Sequence, residues 1–377
     1  MSERIAIVGA SVRAAAAAAV RAGFTVAAAD LFADADLAEI ADATQIEDYP
    51  ARFADWLRAL SPRPKAWLYT GALENHPDLV DQMAAIAPLW GNSGAVLRQV
   101  RSPWRLAEVL AEAGLRFPAM QSSPEGLPRD GSWLVKTGRG ASGSGVANFK
   151  DASTVPVESF YQQRISGAPY SAVFVAHGGK AKLLGIVRQL VGEVWLYAKE
   201  FQYCGAIGPW RVCAKVVDEI GRIGDTLADR FKLRGLFGVD FILEGDRVWT
   251  IEVNPRYPAS AEVIEWATGV SPLAAHAAEW GGRSTTIVDK AGEDAHFCKA
   301  ILFSRRQIAI DWKLNELFPD IRCAPTWPAS SDLPRVGTRI EKGHPVLTLF
   351  ARGATPEEVV TKLKARVAIV ERQLYPH

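Results

Sequence analysis

The sequence predicts a chain of mixed α/β and α+β class: an α/β first domain, an α+β middle domain and a small α+β cap. Three observations predict it. Short apolar strand patterns alternate with helical ones over residues 1–95, a β-hairpin pattern covers residues 238–254, and an amphipathic helix closes the chain.

Arg4-Ile5-Ala6-Ile7-Val8 reads as a short buried strand, Ala14 to Ala22 as an Ala-rich helix, and Thr25 to Ala29 as a second strand ending at Asp30. A helix around Phe53 to Leu60, a strand at Ala66-Trp67-Leu68-Tyr69 and a helix around Leu79 to Ala85 continue the alternation expected of a parallel sheet. A helix from about Trp104 to Ala113 leads to Gly114 and Pro118, which mark a boundary. The middle domain opens with the strand Trp133-Leu134-Val135-Lys136, and a helix from about Val216 to Phe231 precedes the hairpin. Beyond residue 286, Ala300 to Phe303 and Val346 to Leu349 read as strands. The helix from Pro356 to Leu374 turns Val359, Leu363, Val367 and Val370 inward.

The hairpin is the most informative stretch. Gly238 to Leu243 and Val248 to Arg256 flank the polar turn Glu244-Gly245-Asp246-Arg247. Folding it about Asp246 sets Asp240 opposite Glu252, and like charges so placed repel unless something neutralises them. Alternation along the strand puts Glu252, Asn254 and Arg256 on one face. Hard oxygen ligands beside a guanidinium suit Mg²⁺ that also holds a polyphosphate. A solvated hairpin face would carry isolated charges, whereas here four polar groups share a register on an otherwise apolar strand.

Two glycine-rich elements compete for a nucleotide. Gly9-Ala10-Ser11-Val12-Arg13-Ala14, with Asp30 closing the second strand, mimics a dinucleotide fingerprint but has Ser11 where the second glycine should be. It reads as a first domain with no cofactor of its own, or one that helps hold substrate; an NAD-dependent oxidoreductase is a distant third reading. Lys136 with Gly138, Gly140, Ser142, Gly143 and Gly145 is the second element. Its free backbone N–H groups can wrap phosphate oxygens while the lysine adds a point charge. No Gly-Lys-Ser/Thr follows, so this is not a Walker A loop.

With 43 basic and 42 acidic residues the net charge is +1, and no basic field marks a nucleic-acid or membrane partner. No apolar run approaches membrane-spanning length and the first residues lack a signal-peptide layout, so a soluble, cytoplasmic protein is expected. Cys204, Cys213, Cys298 and Cys323 lie far apart and fit neither a zinc site nor a disulfide framework.

Lys136 with its glycine loop, then Asp240, eleven residues, and Glu252-Val253-Asn254-Pro255-Arg256, resembles the ATP-grasp superfamily, in its carboxylate–amine ligase-like branch. The resemblance implies a Rossmann-like pre-ATP-grasp domain (1–95), a two-lobed ATP-grasp domain (96–285) and a C-terminal α+β cap (286–377). It implies ATP and two Mg²⁺ ions, which Mn²⁺ could replace. Asp240, Glu252 and Asn254 would ligate metal, Arg256 would stabilise the transferring phosphoryl group, and Lys136 would reach the α- or β-phosphate. Gln163 and Ile165, in a strand similar to the family's hinge, would meet adenine.

The implied activity is ATP-dependent activation of a small-molecule carboxylate as an acyl phosphate, then amide formation with an amine, releasing ADP. Cofactor or amino-acid metabolism, C1-cofactor biosynthesis included, is its expected setting, and a homodimer its expected assembly. The alternative is an ATP-binding regulatory or scaffold protein without turnover. Tyr203, Trp210 and Arg211 offer an aromatic and basic substrate wall, and Ser260 a polar contact beside Arg256. The family's linker Asp-Lys pair is replaced by Ser102-Pro103, so either Arg105 substitutes or the contact is absent. Gln163 stands for the hinge acid, and no carboxylate lies at Tyr170-Ser171, where a ribose acid is usual.

Overall fold

The computed structural model describes residues 2–138, 140, 142–152, 155–156, 158–282, 295–311, 317 and 328–375. Cys323 lies outside them. The first domain contains β1 (Arg4–Val8), α1 (Arg13–Arg21), β2 (Thr25–Asp30), α2 (Ala35–Ile40), β3 (Asp42–Gln45), α3 (Phe53–Ala59), β4 (Ala66–Tyr69), α4 (Pro77–Ala84) and α5 (Gly94–Val100). Its strands form a parallel sheet in the order β3-β2-β1-β4. The alanines of α1 bury their small side chains, which lets the helix lie close against β1 and β2.

The linker helix α6 (Pro103–Glu112) has Ser102 as its N-cap, accepting the Arg105 N–H at 3.4 Å, with Pro103 in its first turn. Ser-Pro is therefore a helix-start signal here. A small antiparallel lobe follows: β5 (Met120–Gln121), β6 (Trp133–Thr137), β7 (Val146–Asn148) and β8 (Ser159–Gln163), in the order β5-β8-β6-β7.

The large lobe comprises β9 (Ala168–His177), β10 (Lys180–Val191), β11 (Tyr203–Gly208), α7 (Ala214–Phe231), β12 (Gly235–Glu244), β13 (Arg247–Asn254), α8 (Ala261–Thr268) and α9 (Pro272–Ala278). On the face of its sheet, Gly224 of α7 lies so close to Phe174 that a Cβ there would sit 2.5 Å from the ring. The last segment adds β14 (His296–Phe303), β15 (Ile308–Ala309), β16 (Ser330–Ser331), β17 (Arg339–Ile340), β18 (Pro345–Gly353) and α10 (Pro356–Leu374). One antiparallel sheet runs β13-β12-β9-β10-β11-β14-β18-β16. The segment expected as a cap thus continues the central sheet of the middle domain, and α10 packs on β14 and β18. Thr355 caps α10 by accepting the Glu358 N–H at 3.2 Å, and Val359, Leu363, Val367 and Val370 are buried.

Among the polar contacts that join the first domain to the rest are an ion-pair cluster and a buried histidine. Arg13 of α1 bonds Glu262 of α8 at 2.5 Å and Asp332 at 2.9 Å, and Lys299 of β14 reaches Glu262 at 3.3 Å; the head groups of Arg13, Glu262 and Lys299 are nearly buried and that of Asp332 is partly exposed. The buried His276 of α9 accepts the Leu236 N–H at 2.8 Å and donates to the Trp90 carbonyl at 3.1 Å. Gly235, at φ 66°, leaves room for that ring, since a Cβ would lie 2.4 Å from Nδ1.

Burial pushes His276 from 6.5 down to about 4, with the Trp90 hydrogen bond and Glu279 opposing. The unfolded chain therefore takes up a proton that the folded protein refuses as pH falls. Stability from this residue is full above pH 6.5 and is lost toward pH 4, by about 3 kcal/mol from the size of that shift. Urea titrations between pH 7.5 and 4.5 should show that loss reduced in His276→Gln. Glu262→Gln should cost roughly 3–5 kcal/mol, because Arg13 and Lys299 lose the charge that compensates them, measured by the same titrations.

Candidate functional site

The hairpin builds the floor of a cavity of about 680 Å³ between the two lobes. Asp240 of β12 and Glu252 of β13 are direct cross-strand partners. A bulge secures this register. Glu244 pairs with Arg247 across a two-residue turn, Phe241 pairs with Thr250, and Ile251 is the extra residue before Glu252. The bulge re-phases the strand: Val248 and Thr250 point into the core, whereas Glu252 faces the cavity.

The two carboxylates differ electrostatically. Burial and then the nearby Glu252 push Asp240 up to about 6, against hydrogen bonds from Ser171 and Asn254 and the charge of Arg256. Burial opposes the charge on Glu252 as well, but Arg101, Lys136 and Arg256 outweigh it and hold this carboxyl below its ordinary value. Lys136 is pulled down by burial and partly restored by Glu252 and Asp240. Two neighbouring acids are thus separated in acidity by where the cations sit.

Asn254 connects the acids to the guanidinium, donating to Asp240 at 3.0 Å and accepting from Arg256 at 2.9 Å. Gln189 donates to the other oxygen of Asp240 at 3.1 Å. Lys136, Ser142, Gly143, Gln163, Ile165, Tyr203, Asp240, Glu252, Asn254, Arg256 and Ser260 all line the one cavity. Gly138 and Gly140 line a smaller adjoining one of about 90 Å³, which shares Lys136 and Glu252 with the first. Gly145, at φ 80°, serves the turn: a Cβ there would lie 2.0 Å from Thr137 Oγ1. Trp210 and Arg211 are outside both linings; Trp210 packs on Tyr170 and under the Arg188 guanidinium, and Arg211 is exposed.

The glycine loop rests on the large lobe. Tyr203 N–H donates to the Ser142 carbonyl at 3.1 Å, and a Cβ on Gly143 would meet the Phe201 carbonyl at 1.9 Å. A second bridge between lobes runs from Arg164 to Asn148 at 3.0 Å and from Asn148 to Glu200 at 2.7 Å.

Several contributors were not evident in the sequence. Arg101, one residue before the Ser-Pro pair, ion-pairs with Glu252 and donates to Asn75 at 3.1 Å and to the Gly140 carbonyl at 3.3 Å. Arg105 does not stand in for the linker lysine; it pairs with Glu108 on the exposed side of its own helix. Glu74 pairs with Arg256 at 3.0 Å. Gln162 alternates inward on β8 and is buried, while its neighbour Gln163 is exposed at the cavity edge. Glu74 Oε2, Gln162 Nε2 and Tyr203 Oη, all on lining residues, are buried without a hydrogen-bond partner.

The donor set fits a metal held together with a nucleotide. Among the described residues no three His, Cys, Asp or Glu side chains gather around one point. Two carboxylates and an amide leave the remaining positions of a hard cation to phosphate oxygens and water, which is how Mg²⁺ is usually held. The first domain's glycine turn is built differently. Asp30 accepts the N–H groups of Val12, Phe32 and Ala33 at 3.0, 3.0 and 2.7 Å. Gly9 is needed because a Cβ would strike Thr70 at 2.0 Å. The acid that completes a dinucleotide fingerprint is thus committed to its own loop.

Gly143→Ala should undock the glycine loop, since both the carbonyl contact and φ 82° exclude a side chain. Hydrogen exchange at the Tyr203 amide should then quicken by about tenfold or more, while the core amides of β9 and β12 stay protected.

Comparison with known proteins adds the family. Residues 100–260 match the model of an ATP-grasp domain. The chain is 29% identical over 101 residues to a formate-dependent phosphoribosylglycinamide formyltransferase of Pseudomonas aeruginosa, covering 27% of this chain and 26% of the relative. It is 26% identical over 156 residues to the C-terminal section of a carbamoyl phosphate synthase large chain of Aquifex aeolicus, covering 38% and 28%. The chain therefore spans about a quarter of the length of the curated relatives it matches. In fold it is similar to an L-amino acid ligase from Bacillus licheniformis (TM-score 0.70, 14% identity, 97% of both chains). It is likewise similar to an N5-carboxyaminoimidazole ribonucleotide synthetase in its ADP complex (TM-score 0.68, 15% identity, 99% and 98% covered). The acid pair, the glycine loop and the arginine that line one cavity thus fall within the stretch that matches an ATP-grasp domain, and the fold of the whole chain is shared with these solved structures.

Proposed function

We propose that the protein is an ATP-dependent, ADP-forming ligase that activates a small-molecule carboxylate and joins it to an amine. The observation that carries this reading is the register of Asp240 against Glu252 in a cavity that also holds Lys136 and Arg256. Two acids facing each other repel, and their placement serves a purpose when a divalent cation lies between them and a polyphosphate.

In this reading Asp240, Glu252 and Asn254 would hold Mg²⁺, which when bound would supply charge shielding and Lewis-acid polarisation of the phosphates. Lys136, at the end of β6, steadies the α- or β-phosphate, and the glycine loop wraps the chain of phosphates with its N–H groups. Gln162, Gln163 and Ile165 form the adenine edge, with the unpartnered Gln162 amide as donor. Arg256 neutralises charge on the γ-phosphoryl group as a substrate carboxylate oxygen attacks it. ADP leaves as the acyl phosphate forms; the amine nitrogen then attacks the acyl carbon, inorganic phosphate departs, and the nitrogen gives up a proton to leave an amide.

The acceptor half of the cavity is bounded by Ser171, Gln189, Tyr203 and Ser260. Ser171 and Ser260 lie 3.3 Å apart, hydroxyl to hydroxyl, across the strand and the start of α8. Small polar side chains there suit a compact substrate, consistent with cofactor or amino-acid metabolism. Trp210 and Arg211 are left out of this wall for the reason given above.

Mg-ATP should raise the melting temperature of the wild-type protein by several degrees, as expected of a ligand that binds only the folded state. A panel of carboxylates and amines should reveal substrate-dependent ADP release, reduced about a hundredfold or more in Glu252→Gln. A thermal response without ADP release under any pair would favour a binding protein without turnover, and no thermal response would end the nucleotide reading.

A further inference from the structure

The loop that follows β4 in the first domain touches both arginines of the site. Residues 71–75 leave the sheet edge, Ala72 takes φ 75°, and Leu73 anchors the turn in the first domain's core. The next two side chains then reach across the domain boundary. Glu74 Oε1 accepts Arg256 Nε at 3.0 Å and lies 3.0 Å from Nη2. Asn75 Oδ1 accepts Arg101 Nη2 at 3.1 Å.

A long guanidinium side chain beside two carboxylates would ordinarily collapse onto them. Arg101 does so in part, since it ion-pairs with Glu252. Arg256 is held differently. Its ion-pair partner among the described residues is Glu74, whose side chain is 2% exposed, and not Asp240 or Glu252. Its remaining bonds go to Asn254 Oδ1 at 2.9 Å and the Tyr257 carbonyl at 3.2 Å. A charged residue therefore fixes Arg256, and a neutral one steadies Arg101. The difference matters, because a cation that neutralised both acids would compete with a divalent ion for them.

We infer that Glu74 and Asn75 are positioning residues, with Glu74 holding Arg256 off the metal carboxylates and aimed at the phosphoryl group to be transferred. The first domain is then a working part of the transfer site. This inference rests on the ATP-dependent reading above. It requires no new chemistry, only that Arg256 be oriented before nucleotide arrives.

The test compares binding of Mg-ADP with that of a Mg-bound non-hydrolysable ATP analogue, by calorimetry, in wild type, Glu74→Gln, Glu74→Asp and Arg21→Gln. Arg21 bridges the same two domains through Glu265 at 2.7 Å but touches neither site arginine. Glu74→Gln should keep its ADP affinity within about twofold and lose about tenfold of its preference for the triphosphate, the scale of one charge-assisted contact. Glu74→Asp should recover part of that preference, and Arg21→Gln should keep it whole even if it lowers the melting temperature. An unchanged preference in Glu74→Gln, or an equal loss in Arg21→Gln, would overturn the positioning role. Wild-type protein that binds neither nucleotide would instead remove the ATP-dependent reading itself, and this inference with it.

Discussion

Asp240 and Glu252 repel each other across a single rung of the hairpin, and much of the surrounding structure answers that repulsion. The bulge at Ile251 is what lets Glu252 face the cavity while Thr250 stays in the core. Arg101 and Lys136 come from two other segments to hold Glu252 ionised, and Asp240 is left with hydrogen bonds from Asn254 and Gln189. Two acids so placed are costly without a cation beside them, which the proposed metal and nucleotide would relieve. One of the cations around the acid pair, Arg256, is bonded in turn by an anion of the first domain, Glu74.

The domains are joined by polar groups that are nearly all satisfied. His276 uses both ring nitrogens on backbone groups of different segments, and Glu262 receives two cations from opposite sides. Such contacts are directional, and a small rotation between domains would break them together. Apolar packing alone tolerates sliding more readily. The seam matters for a site whose two arginines are bonded by Glu74 and Asn75 from across it.

Much of the fold was legible because it rests on local patterns. The strand at Ala66–Tyr69 and the helix at Pro356–Leu374 are found where the apolar periodicity put them. The acid register of the hairpin was also readable, although its turn is centred half a residue earlier than folding about Asp246 implies and the bulge restores the pairing. What was not legible depends on segments far apart in the chain. Arg101 and Glu74 stand 151 and 182 residues from the site groups they bond, and nothing in their neighbours marks them. Short elements such as α2 and β3 have too few residues to show a period. Trp210 reads as a binding aromatic until the sheet places Tyr170 beside it, and Asp30 reads as the acid of a dinucleotide fingerprint until three N–H groups claim it.

The continuity of the eight-stranded sheet also determines what can be cut away. β14 covers the edge of β11, pairing Phe297 to Ala300 with Gly208 to Gly205, and β18 in turn covers β14. A chain shortened at residue 285 would keep every acid, arginine and glycine of the site yet leave β11 as a bare edge, with the buried Cys204, Ala206 and Ile207 exposed to solvent. Bare apolar edges recruit other chains. The region that matches the ATP-grasp model is therefore narrower than the region that must fold with it, and β14 and β18 act as insulation for the sheet that carries the acid pair.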